Sequence, residues 1–147
     1  GYLDAVEATA EAQRNGAAEP LFLNTQGRVA CAGTGNLFVI TNGTLATPPV
    51  TDGVLDGIVR TRLLALAPKV GLKPCTTALM PGDVARGAAL LVTNSLRLIA
   101  PVAVLDDTEM PILPPVVADL VRVLVADMSE TTGVDLTQTY DLERLSQ

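Results

Sequence analysis

The chain has 147 residues, a formal net charge of −6 and a sequence pI near 4.4. Its length suits one domain with a real core, and 48% apolar residues with two Phe, two Tyr and no Trp call for packing by Leu, Val, Ile and Ala. Two lysines and scattered arginines exclude a nucleic-acid surface, the absence of histidine excludes His triads and His metal sites, and no apolar run is long enough to span a membrane. Cys31 and Cys75 are too few for a disulfide scaffold or a Cys-only metal cluster, so no metal is expected and a reducing cytoplasm is. The chain begins Gly-Tyr rather than with Met, which reads as part of something longer or a processed product.

Leu3, Val6 and Ala10 fall at helical spacing, and Asn15-Gly16 supplies the stop. Pro20 to Asn24 reads as a short strand, turned by Asn24-Thr25-Gln26-Gly27 into a return strand over Arg28 to Ala32. Asn36 to Thr41 is a third strand, turned at Asn42-Gly43 into Thr44 to Thr47; Asn42-Gly43-Thr44 also matches a glycosylation sequon, but it reads as this turn. Pro48-Pro49 ends that strand, and Asp56-Gly57 caps a helix from Ile58 to about Leu66. Leu72 to Thr76 and Ala89 to Thr93 read as strands around a short helix at Asp83 to Ala88. Leu98 to Leu105 is a further strand interrupted by Pro101, and Pro114-Pro115 opens a last helix through Leu124. Residues 1–128 form the domain, and 129–147 a polar tail or arm. Hairpins mixed with helices give an α+β or mixed-barrel class rather than an alternating parallel sheet.

Three segments offer backbone N–H groups where the chain turns, which is what a phosphate needs. They are Gly33-Thr34-Gly35-Asn36, the helix start after Asp56-Gly57, and Thr93-Asn94-Ser95 at a strand end. Each alone is an ordinary turn or helix end. Other carboxylates, such as Asp4, Glu7, Asp106, Asp119 and Asp127, read as wet faces and loops, with no pair spaced as an acid–base dyad.

Taken together, Gly35-Asn36-Leu37-Phe38, Thr47-Pro48-Pro49, Gly53 through Arg60 and Thr93 through Val102 resemble the class IV pyridoxal-phosphate enzymes. That family includes branched-chain and D-amino-acid aminotransferases and 4-amino-4-deoxychorismate lyase. The resemblance covers the chain to about Leu105 and implies the larger C-terminal domain of the family, a mixed-sheet, barrel-like fold with flanking helices. It implies pyridoxal 5′-phosphate as cofactor. The phosphate would be held by Thr34 and Gly35, by the N–H groups of Ile58 and Val59, and by Asn94 and Ser95. Val59 stands where the family usually has Thr, which removes a hydroxyl and keeps the backbone donor.

The resemblance also implies two departures. The family's Schiff-base lysine would fall about three residues before Gly1, outside this chain. Cys31 stands where the family carries a glutamate against the pyridine nitrogen, and a neutral thiol is a poor substitute. The Thr93-Asn94-Ser95 segment leans to the lyase branch, which eliminates pyruvate from a chorismate-derived substrate. The alternatives are a transaminase of small amino acids and a non-catalytic relative serving as a binding or assembly module. Implied partners are the N-terminal half of the same protein, as one chain or as a nicked and docked piece, and a second copy in a homodimer.

Overall fold

The computed structural model describes residues 2–137 together with 139 and 140. Helix α1 (Tyr2–Arg14) leads into strands β1 (Leu21–Leu23), β2 (Val29–Ala32), β3 (Gly35–Thr41) and β4 (Thr44–Thr47). Helix α2 (Ile58–Leu66), β5 (Lys73–Thr76), a short helix α3 (Pro81–Ala85), β6 (Ala89–Asn94) and β7 (Leu98–Pro101) follow. A small hairpin of β8 (Val104–Leu105) and β9 (Thr108–Glu109) precedes helix α4 (Pro114–Thr132). The α+β expectation is met: β1 to β7 form one sheet in which β4 and β5 run parallel and every other pair is antiparallel.

Local chemistry explains the hairpins. Asn42 and Gly43 both sit at positive φ, 48° and 72°, the combination a tight two-residue turn requires. At the β1–β2 turn, Asn24 Oδ1 accepts from the N–H groups of Gln26 and Arg28, both at 3.0 Å. The strand expected over residues 98–105 is instead two pieces, because the chain leaves the sheet after Pro101 and pairs Val104 with Glu109. The last helix runs on past Met128 to Thr132, and Leu136 and Tyr140 pack back against the core. Of the expected tail, residues 138 and 141–147 lie outside the described residues.

Strand β3 is the axis of the sheet. One of its edges pairs with β6 along Asn36 to Ile40, and its other edge is divided between β2 at Gly35–Asn36 and β4 at Val39–Thr41. Where the two partners diverge, the buried Thr47 hydroxyl donates to Leu37 O at 2.7 Å and takes the place of a ladder bond. Thr47→Val keeps the shape and abandons that buried carbonyl. Urea unfolding should show a loss of about 1–3 kcal/mol.

Alternation along β3 and β6 separates two cores. Phe38, Ile40 and Leu91 face α2 and α4, where Leu63, Leu66, Leu120 and Leu124 meet them. Leu37, Val39, Leu90 and Val92 face the other way, onto Val84, Leu79 and Met110. By contrast, α1 exposes the apolar stripe expected of it, with Leu3 and Val6 79% and 50% accessible.

Helices α2 and α4 are tied by an ion pair between Arg62 and Asp127, and the guanidinium holds the Asp127 carboxyl below its ordinary value of 3.8. A lowered folded-state pKa stabilises above the unfolded value and ceases to do so as pH falls through the folded one. Asp127→Asn should therefore lower the urea midpoint at pH 7 and converge with the parent chain in strong acid. A gap that persists unchanged at a pH far below 3.8 would contradict the pairing. Because Arg62 is well exposed, the effect is modest.

Candidate functional site

Antiparallel register places Cys31 opposite Asn36 and Asn36 opposite Thr93, so their side chains form one row on the helix-bearing face of the sheet. Asn36 fastens the start of α2 to this row: its Nδ2 donates to Leu55 O at 2.7 Å. A Cβ on Gly57 would overlap Asn36 Oδ1, so only glycine lets the chain cross there. Gly35 meets the same limit on the other edge, where a Cβ would run into the backbone carbonyl of Thr93.

Gly57 is the N-cap of α2, as the sequence suggested, yet no side chain caps it. Asp56 turns instead to Arg60 Nη1 at 2.7 Å and to the Thr61 hydroxyl at 3.1 Å. The helical ladder begins with Thr61 N donating to Gly57 O, which leaves the N–H groups of Ile58 and Val59 ahead of it. Ile58 is 77% exposed, whereas the Val59 side chain is buried in the core, so Val59 can offer a ligand only its backbone.

The β6–β7 turn approaches from the other side. Asn94 Nδ2 donates to Thr34 O at 3.2 Å, and its Oδ1 accepts from the N–H groups of Leu96 and Arg97 at 2.9 and 2.8 Å. Glu19 then locks the rim: Oε2 accepts from Thr34 N and Oγ1 at 3.2 and 2.9 Å, and Oε1 from Arg97 Nη1 at 3.0 Å. The side-chain amide of Asn94 and both donors of Thr34 are thus engaged in shaping the turns. The exposed Ser95 crowns the turn that they shape.

All seven residues singled out from the sequence (Cys31, Thr34, Gly35, Ile58, Val59, Asn94 and Ser95) therefore lie on segments that meet around Asn36. Sequence reading passed over Asn36 and Gly57 as ligand-shaping positions, although both stood in the quoted motifs. It had no access to Glu19, whose partner Arg97 is 78 positions away.

The cradle suits a phosphate. It joins uncapped helical N–H groups, the positive end of a nine-residue helix, and glycines where any side chain would intrude. In the row beneath it, Thr93 Oγ1 is buried without a hydrogen-bond partner among the described residues. Leu55, Ile58 and Leu96 leave an apolar rim, each more than three-quarters exposed. A hollow of about 470 Å³ beside Cys75 lies on the opposite face of the sheet, away from the cradle, and a groove of about 980 Å³ runs along α1 and reaches Glu19 and Arg97 at the rim.

The sequence matches the family model for amino-transferase class IV over residues 1–105. It is 35% identical over 106 residues to a "Putative branched-chain-amino-acid aminotransferase" of Methanocaldococcus jannaschii, spanning 71% of this chain and 36% of the relative. The structure of a "Putative 4-amino-4-deoxychorismate lyase" from Legionella pneumophila superposes with a TM-score of 0.82 at 34% identity, over 86% of this chain and 47% of the other. A branched-chain amino acid aminotransferase from Thermobaculum terrenum in its PLP form gives a TM-score of 0.76 at 28% identity, over 84% and 42%. The chain thus spans less than half the length of these relatives.

Proposed function

The chain belongs to the amino-transferase class IV family, and on that premise we propose that it is the phosphate-holding part of a pyridoxal-phosphate enzyme, with lyase chemistry of the 4-amino-4-deoxychorismate type. The observation that carries the reading is the uncapped start of α2, fixed by Asn36 beside the β6–β7 turn. The N–H groups of Ile58 and Val59 would donate to phosphate oxygens, with the helix dipole adding to their pull. Ser95 would add a hydroxyl from the facing turn, which Asn94 and Glu19 hold in place through Thr34 and Arg97. Leu55, Ile58 and Leu96 would shed water when the remainder of the protein covers them.

When bound, the cofactor supplies an electron-withdrawing ring that stabilises negative charge on the amino-bearing carbon of its substrate. The Legionella likeness and the Thr93-Asn94-Ser95 turn support the lyase reading. The Methanocaldococcus relative supports transamination of a small amino acid as the second reading.

Pyridoxamine 5′-phosphate tests cofactor binding directly, because its amine forms no adventitious adduct with Lys69 or Lys73. Calorimetry on the 147-residue chain should show uptake that inorganic phosphate competes away. Absence of uptake would overturn the reading in favour of a module that retains only the fold. On a longer protein that includes the N-terminal half, pyruvate release against amino-group transfer separates lyase from transaminase.

A further inference from the structure

We propose that Cys31 meets the ring-nitrogen edge of the bound cofactor as a neutral thiol, so that the nitrogen carries no proton. This inference rests on the cofactor reading above and adds the electronic character of the site. It follows from the cross-strand row Phe22–Cys31–Asn36–Thr93–Ile99, whose members share one face through their pairing. Asn36 lies beneath Gly57, at the phosphate cradle. Cys31 stands one strand further along, about 4.8 Å away in the pairing direction, which is the scale of a six-membered ring on a short arm.

Burial differs along the row. Asn36 and Thr93 are nearly closed off at 6% and 1% exposure, whereas Cys31 stays half-buried and open to a ligand. The unpartnered Thr93 hydroxyl, two places along, is a second polar group turned to the same face.

The row contains no carboxylate. A protonated pyridine nitrogen in a partly desolvated site needs an anion beside it, and a thiol is one only after losing its proton. Burial pushes the Cys31 thiol up, which keeps it neutral. The ring nitrogen then accepts a weak S–H hydrogen bond, and the ring withdraws electrons less strongly. Such a site is poorly suited to storing an electron pair on the ring. It is better suited to reactions in which a departing group carries the pair away, as in elimination.

Thiol protection on the intact 147-residue chain tests this. Alkylation by iodoacetamide, followed peptide by peptide, reads Cys31 with Cys75 as the internal reference. Cys75 pairs with Ala46 and lines the hollow on the opposite face, away from the cradle. Saturating pyridoxamine 5′-phosphate should slow alkylation of Cys31 at least tenfold and leave Cys75 unchanged, while saturating inorganic phosphate should protect neither. With cofactor labelled with ¹⁵N in the ring, the bound nitrogen should resonate as neutral and move to the protonated position in Cys31→Glu. If calorimetry shows binding while Cys31 stays unprotected, is equally protected by phosphate, or faces a protonated nitrogen, the inference falls and the cofactor reading stands. If nothing binds, both fall.

Discussion

Chains carrying Arg28→Met are expected to unfold at markedly lower urea than the parent, and Asp52→Asn at an intermediate concentration. Arg28 Nε donates to both Asp52 carboxylate oxygens at 3.0 and 2.9 Å, and its Nη2 completes a forked pair. The two side chains differ sharply in exposure, at 31% for Arg28 and 1% for Asp52. An abandoned arginine can reach water; an abandoned Asp52 carboxylate cannot. Leaving a charge buried without its partner costs about 3–5 kcal/mol, whereas replacing both members with apolar residues of similar volume is often neutral. The double variant Arg28→Met/Asp52→Leu should therefore recover much of what Arg28→Met loses. If Asp52→Asn proves the more damaging single change, the pair is not what anchors the β1–β2 turn to the segment before α2.

Gly57→Ala is expected to weaken cofactor uptake about 10- to 100-fold, a change of roughly 1.4–2.8 kcal/mol. The added methyl has nowhere to go, since its position overlaps Asn36 Oδ1 and Asn36 is itself committed to Leu55 O. Either Asn36 gives up its bond or the start of α2 lifts away from the row, and both move the N–H groups of Ile58 and Val59. Gly53→Ala supplies the contrast. Nothing stands near its Cβ, but its φ of 87° strains any side chain, so stability should fall while affinity in the folded chain is preserved. Calorimetry with pyridoxamine 5′-phosphate, paired with thermal unfolding, separates the two. Equal affinity losses in both variants would mean that helix position does not set binding.

What the sequence disclosed was the part written in neighbouring residues. Asn42-Gly43 announced its hairpin because both residues tolerate positive φ, and Pro48-Pro49 announced the end of β4 because proline donates nothing to a ladder. The three turns of the cradle were visible one at a time. Their convergence on Asn36 became readable only through resemblance, since nothing in local spacing says that Asn36 will lie beneath Gly57. Interactions across long separations stayed hidden. Asp127 read as a wet helix face, yet it meets an arginine 65 positions away, and Asp52 meets one 24 positions away with no local sign of it. Glu19 carried no local signal at all. The interruption at Pro101 was legible, but the apolar run through Leu105 concealed that the chain leaves the sheet there and pairs with another strand.

The divided edge of β3 has a consequence for the order in which the chain comes together. Its pairings with β2 and β4 are short-range turns that can close within microseconds. Its pairing with β6 must wait until α2, β5 and α3 have been made and threaded past, at a higher cost in loop closure. A nascent chain that has reached Thr47 but not Ala89 therefore holds a meander whose most apolar strand, Leu37 to Ile40, offers a bare hydrogen-bonding edge. During synthesis that edge is a template for another copy of itself, and the interval before β6 arrives is when this protein is most exposed to aggregation.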